Sequence, residues 1–211
     1  MGRAKVVSVL VGVAALLATA SVARAQQSMG GVGDVTNRWG VGVSLGYAIP
    51  QENDADSSFY RGAVITYGLA PNYVVQLDIG YLSFSQSAHS IDYGDLQGVP
   101  LMLSLQWRHP YSIGTSPAAW YLLGGVGWTF WNLDSSDEAP RLGVEASADD
   151  AFAARGGLGF DVFFTDNLAW NVEGSYTFSA RDVKLIEPGT NDSEKQDSDY
   201  WLLASGVRYY I

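Results

Sequence analysis

Between Phe152 and Phe178 apolar and polar positions alternate in two runs folded about a short turn. Phe152, Ala154, Gly156, Leu158, Phe160, Val162 and Phe164 share one parity, against Ala153, Arg155, Gly157, Gly159, Asp161 and Phe163. After Thr165-Asp166-Asn167, Leu168, Trp170, Val172, Gly174, Tyr176 and Phe178 alternate with Ala169, Asn171, Glu173, Ser175, Thr177 and Ser179. Successive side chains on a strand point to opposite faces, so each run builds one aromatic, apolar wall and one small or polar wall. A bilayer asks for this pattern in a closed β-barrel, whose strands of about ten residues are apolar outside and polar inside.

The remaining chain repeats the unit. Trp39, Val41, Val43, Leu45, Tyr47 and Ile49 form an outward face over Gly40, Gly42, Ser44, Gly46 and Ala48. A second strand, Phe59 to Leu69, turns Ala63, Ile65 and Tyr67 outward, and a third does so with Tyr73, Val75, Leu77, Ile79 and Tyr81. In a fourth, Val99 to Trp107 face out while Met102, Ser104, Gln106 and Arg108 face in; in a fifth, Trp120, Leu122, Val126, Trp128 and Phe130 face out. The hairpin above supplies two more strands, and Trp201, Leu203, Val207, Tyr209 and Ile211 mark an eighth. Long connections are expected at Pro50–Ser57, Ser85–Gln97, Leu133–Asp150 and Asp182–Asp199, and shorter ones at Ala70–Asn72, His109–Pro117 and Thr165–Asn167. The prediction is all-β: an eight-stranded antiparallel up-and-down transmembrane β-barrel with short turns at one end and long loops at the other.

The N-terminus carries a different signal. Arg3 and Lys5 precede an apolar run from Val6 to Ala20, and Ala23-Arg24-Ala25 fits a small-x-small cleavage site, so residues 1–25 read as a secretory signal peptide. Residues 26–37 lack any period and read as a flexible lead, leaving 38–211 as the barrel. Loss of residues 1–25 removes Arg3, Lys5 and Arg24 and no acid, which takes the net charge from −10 to −13. Such a chain repels nucleic acid, whose binding depends on neutralising phosphates with Lys and Arg. With no cysteine there is no disulfide framework, and stability must come from the strand ladder.

Three stretches carry a family likeness: Trp120-Tyr-Leu-Leu-Gly-Gly-Val-Gly-Trp128, Gly156-Gly-Leu-Gly-Phe-Asp-Val-Phe-Phe-Thr-Asp-Asn167, and the closing strand to Ile211. Over residues 38–211 the chain resembles the small eight-stranded outer-membrane β-barrels of the OmpA/OmpX/OmpW type, within the outer membrane protein β-barrel domain family. The resemblance implies outer-membrane localisation in a Gram-negative-type envelope, contact with outer-membrane lipids and lipopolysaccharide, and recognition of the last strand by the barrel-assembly machinery. A closing aromatic is usual in such families; here Ile211 is last and Tyr209 lies two before it. A monomer is expected, with neither cofactor nor nucleic-acid partner.

Two sets of residues are candidates for a role. Asp78, Arg108, Arg155, Asp161, Glu173 and Arg208 share the inward parity, three acids against three bases. They read either as an internal salt-bridge plug or as a charged constriction along a narrow path; an interior this small is filled by side chains, which favours the plug. Inward glycines such as Gly80, Gly125, Gly157 and Gly159 either leave room for water or permit tight strand curvature. Trp39, Tyr73, Trp107, Trp120, Trp128, Trp170, Tyr176, Trp201 and Tyr209 read as an aromatic girdle at the headgroup level. Arg61 is placed either to meet a lipid phosphate or to snorkel. The loop acids Asp134, Asp137, Glu138, Asp149 and Asp150 lack the spacing of a calcium loop, so no metal site is expected. His89, with Ser90 and Asp92 nearby, and His109 are the histidines from which a lipid-modifying enzyme would have to be built. No catalytic residue is expected. The role that follows is a structural or surface-interaction barrel; the alternative, implied by the OmpW-like resemblance, is a narrow channel for small, including apolar, solutes.

Overall fold

Alternation of side chains closes the sheet on itself. The computed structural model describes residues 33–51, 57–88, 91–135, 145–148, 150–187, 190–197 and 199–211. It contains β1 (Trp39–Pro50), β2 (Ser58–Ala70), β3 (Tyr73–Ala88), β4 (Ile91–Ile113), β5 (Ser116–Ser135), β6 (Glu145–Ala148), β7 (Ala151–Phe163), β8 (Leu168–Glu187), β9 (Thr190–Asp197) and β10 (Tyr200–Tyr210). Eight of these make the barrel, each antiparallel to its neighbours in the order β1-β2-β3-β4-β5-β7-β8-β10. The seam is β10 against β1, with Tyr210 opposite Gly40 and Tyr200 opposite Pro50. Among the described residues no helix is long and apolar enough to cross a membrane.

The remaining two strands correct the expected loops. Leu133–Asp150 and Asp182–Asp199 contain β6 and β9, which pair with the outer part of β8 on either side, Glu145 opposite Ile186 and Ala180 opposite Asp197. The segment Ser85–Gln97 is likewise strand on both sides of residues 89–90, with Ser85 opposite Asp95 and Ala88 opposite Ile91. Backbone pairing continues through these polar segments without the apolar period that reveals a strand in the sequence. At the other end His109–Pro117 is not a nine-residue turn. The β4–β5 ladder runs to Ile113 opposite Ser116, around Gly114-Thr115 alone. Gly114 has φ 60°, the first central position of a type II′ hairpin, where glycine is the residue that fits.

Outside the barrel lies a band of aliphatic side chains, among them Val43, Leu45, Leu77, Leu103, Leu105, Leu122, Leu158 and Leu203, all exposed. In water so much apolar surface is a liability; in lipid it is the solvent-matched face. The depth rule gives a direct check. Leu103→Arg, near mid-band, is expected to destabilise the barrel by about 2–4 kcal/mol, and Ile49→Arg, at the loop end of β1, by only about 0–1 kcal/mol, in reversible denaturant unfolding from vesicles. Equal costs would mean that this wall is not graded by bilayer depth.

Inside, three layers stack along the axis. Val35, Val74, Phe163, Ala169 and Tyr210 fill the short-turn end. Ala48, Tyr60, Leu82, Phe84, Trp131, Ala151, Tyr200, Leu202 and Ala204 fill the long-loop end. A polar band lies between them.

The lead expected to be flexible is fixed over residues 33–37. Val35 is buried to 2% and Asn37 holds a left-handed φ of 58°. Its earlier part and the signal-peptide segment lie outside the described residues, as do His89 and Ser90.

Candidate functional site

The polar band is built by inward parity alone. β3 contributes Gln76 and Asp78; β4 contributes Ser104, Gln106 and Arg108; β7 contributes Arg155 and Asp161; β8 contributes Asn171 and Glu173; β10 contributes Arg208, and all are buried. β1 and β2 bring no charge to it; their inward positions there are Gly40, Gly42, Ser44, Gly62, Val64 and Thr66.

The six charges form one continuous series of alternating sign. Asp78 accepts from Arg155 Nη2 at 2.5 Å, and Arg155 Nη1 lies 3.6 Å from Glu173 Oε1. Glu173 Oε2 lies 3.6 Å from Arg208 Nη2, Arg208 Nη1 lies 3.6 Å from Asp161 Oδ1, and Asp161 Oδ2 meets Arg108 Nη2 at 2.7 Å. Only the two end members, Asp78 and Arg108, have a single oppositely charged neighbour in this series. Taking an ion out of water costs several kcal/mol, and pairing with good geometry is what offsets it.

Neutral groups tie the series across the lumen. Tyr121 of β5 donates to Glu173 Oε2 at 3.0 Å, and its hydroxyl accepts from Asn171 Nδ2 at 2.8 Å and Arg208 Nη2 at 3.2 Å. The guanidinium groups of Arg108 and Arg208 lie 5.6 and 5.5 Å from its ring centre, within cation–π range. Gln76 donates to Asp78 and to Glu173 Oε2, and its carbonyl accepts from Gln106 and Arg208. Arg155 also donates to Ser104 Oγ at 2.8 Å, and Arg108 to Gln106 Oε1 at 3.1 Å. Tyr121, Gln76, Gln106 and Asn171 were not among the candidate residues. Their signal was shared parity with the charges, since neutral side chains carry no sign to balance.

Beside the charges the described residues leave little room. A cavity of about 10 Å³ lies beside Ser44, Val64, Asp78, Arg155, Glu173 and Arg208, room for one water molecule. The inward glycines do not open a path. A Cβ on Gly62 or Gly80 would run into the ring of Tyr60, and one on Gly159 into the ring of Tyr121. At Gly42, Gly125, Gly157 and Gly206 it would meet backbone of the adjacent strand. The volume each glycine releases is taken by a neighbouring ring or by the close approach of two strands.

The aromatic candidates lie on the outer wall in two tiers. Trp39, Tyr73, Trp107, Trp120, Trp170 and Tyr209 stand toward the short-turn end, and Trp128, Tyr176 and Trp201 toward the long-loop end. Trp107 meets Trp120 edge-on at 5.4 Å below, while Trp128 meets Phe152 at 5.4 Å and Tyr176 meets Trp201 at 4.8 Å above. Tyr67, beside Trp39, and the Tyr47–Phe59 pair extend these tiers beyond the predicted set. Trp170 Nε1 donates to Ser205 Oγ at 2.9 Å, satisfying its polar end. Arg61 is exposed on this wall with its guanidinium 4.5 Å from the centre of the Tyr81 ring.

The histidine His109 lies 5.6 Å from the ring of Trp120. Among the described residues no group of three or more His, Cys, Asp or Glu is arranged to hold a metal ion. Asp150 is exposed; Asp137, Glu138 and Asp149 lie outside the described residues, as do the side chains of Asp92 and Asp134.

Comparison with known proteins agrees with this architecture. The model of the family described as "Outer membrane protein beta-barrel domain" matches residues 12–207. No curated protein sequence matches the chain. Among solved structures it is similar to the outer membrane protein OprG from Pseudomonas aeruginosa, at 18% identity and TM-score 0.72 over 85% of this chain and 98% of that one. The outer membrane protein AlkL in lipid bilayers is similar at 17% identity and TM-score 0.57, over 89% and 96% of the two chains. Outer Membrane Protein W of E. coli is similar at 16% identity and TM-score 0.54, over 83% and 98%. Identities this low establish a shared fold.

Proposed function

This chain belongs to the outer membrane protein β-barrel domain family, and we propose that within it the protein is a plugged, non-catalytic barrel with a structural or surface-interaction role. One observation carries the reading: the lumen is crossed at mid-height by six buried charges in unbroken alternation, with a void of about 10 Å³ beside them. Moving an ion through that band would mean parting buried pairs in a low-dielectric interior, which costs about 3–5 kcal/mol for each charge stripped of its partner. Catalysis has no support in the geometry either. Among the described residues, the contact made by His109 is with the ring of Trp120, not with a serine or a carboxylate.

In an outer membrane the short turns face the periplasm and the long strands β3, β4, β5 and β8 stand out on the cell surface. That exposed sheet is the part offered to partners. The aromatic tiers then sit at the two headgroup levels, where amphipathic rings are favoured, and contact phospholipid and lipopolysaccharide. Residues 1–25 act as the export signal and the last strand as the assembly signal.

A second reading has its own observation. The long-loop end of the interior is apolar, lined by Tyr60, Leu82, Phe84, Trp131, Tyr200 and Leu202. A small apolar solute would be compatible with that end and would be stopped by the charged band, so it would have to leave sideways through the wall.

Planar-bilayer recording of the folded mature protein separates these ideas. The plugged barrel gives no ion current in the wild type, and an unboiled sample run on a detergent gel verifies folding in the same preparation. Reproducible openings that change size with Glu173→Gln or Arg155→Ala would replace the plug with a gate. Protection of Trp131 fluorescence from quenching by an added alkane, in a silent bilayer, would favour the lateral path for apolar solutes.

A further inference from the structure

We infer that residues 33–38 form a strap that shuts the short-turn mouth, so the polar lumen is closed to the periplasm by a part of the chain outside the barrel strands. This stands apart from the plugged reading, because the strap seals the mouth beneath the charged band whether or not that band conducts.

The segment crosses the opening from one wall to the other. It leaves the foot of β1 at Trp39 and fastens at once to the foot of β2. Asn37 N–H donates to Gly68 O at 2.8 Å, Gly68 N–H donates to Arg38 O at 3.1 Å, and Thr36 makes a parallel bridge with Gly68. Only glycine allows that approach, since a Cβ at position 68 would overlap the carbonyl of Val35. Val35 then turns into the barrel, sharing a cluster with Val74 of β3, Phe163 of β7, Ala169 of β8 and Tyr210 of β10. Four strands around the rim thus close on one side chain. Beyond it Gly33, at φ 92°, would place a Cβ 3.1 Å from Pro117 of β5, on the opposite wall.

Two devices hold the strap in this path. Asp34 Oδ1 accepts from both the backbone N–H and the hydroxyl of Thr36, at 2.8 and 2.6 Å, fixing the bend before Val35 dips. Arg38 clamps the far side: Nη1 donates to Asp166 O in the β7–β8 turn at 2.8 Å, and Nη2 to Tyr210 O at 3.0 Å. A merely tethered lead has no need of a buried valine, a left-handed asparagine and an arginine clamp. Together they make a seal that opens by undocking Val35 while every barrel strand stays paired.

The chain has no cysteine, so one introduced thiol reports on the mouth. Ala169→Cys places it behind the strap with little change in volume, and Thr115→Cys places it on the exposed hairpin tip as a reference. With folded protein in detergent, a membrane-impermeant maleimide is expected to label Thr115→Cys at least tenfold faster than Ala169→Cys. Adding Val35→Asp, or separately Arg38→Ala, is expected to raise labelling of Ala169→Cys by tenfold or more and leave Thr115→Cys unchanged. The heat-dependent gel shift verifies that each variant still forms a barrel. Equal labelling of the two thiols behind an intact strap would overturn the proposal, and so would continued protection of Ala169→Cys in both strap variants.

Discussion

Asp161→Ala is expected to lower the free energy of unfolding by about 3–5 kcal/mol, the cost of leaving a buried charge without its partner. Asp161 is fully buried and sits between two bases, 2.7 Å from Arg108 and 3.6 Å from Arg208, with Asn171 donating to it at 2.7 Å. Its loss leaves three bases against two acids in a space with room for one water. The alternating order predicts an unusual recovery. Removing Arg108 together with Asp161 takes away an adjacent pair at one end of the series, and Asp78, Arg155, Glu173 and Arg208 remain as a balanced alternation of four. The double variant Arg108→Leu/Asp161→Leu should therefore return to within about 1–2 kcal/mol of the wild type, as replacement of buried ion pairs by apolar side chains commonly does. Denaturant unfolding from micelles, followed by tryptophan fluorescence, measures both. Additive losses in the double variant would show that the residues act as separate contacts, and the idea of one linked series would fall.

The membrane-facing architecture was legible because lipid and lumen impose opposite demands on neighbouring residues. Trp39 to Ile49 and Leu168 to Phe178 report those demands at every second position, and parity alone placed all six charges inside. What parity cannot report is where a strand stops. Ser85 to Ser87 and Asp92 to Gln97 are strand because their backbones pair, but their sequence is polar and carries no apolar period. Parity is equally silent on height along the axis. Met102 and Gln106 share a face with Leu82 and Tyr60, so the sorting of interior residues into an apolar floor, a charged middle and an apolar upper layer needed the register of all eight strands. The strap is illegible in the sequence for a third reason. Val35 is a single apolar residue among Gly, Asp, Thr and Asn, and its burial depends on a contact with Gly68 that no local pattern encodes.

Gly159→Val is expected to cost at least about 3 kcal/mol, the sum of overpacking and of a buried hydrogen-bond hub pushed off its partners. A Cβ there enters the ring of Tyr121, whose hydroxyl joins Glu173, Asn171 and Arg208. Gly156, three residues earlier on β7, faces lipid with nothing within 4 Å of its Cβ position, and Gly156→Val should stay within about 0.5 kcal/mol of the wild type. The two glycines share a strand and differ in the face they present, so the contrast isolates the interior ring as the cause. Truncating the ring provides the second half of the argument. If Gly159 exists to admit Tyr121, then Gly159→Val and Tyr121→Ala together should be less damaging than their separate costs added, by about 1–3 kcal/mol of coupling. If instead both glycines serve strand curvature, Gly156→Val and Gly159→Val should cost the same and Tyr121→Ala should relieve neither. Equilibrium unfolding of the four variants decides between a wall thinned for a ring and a wall thinned for its own bend.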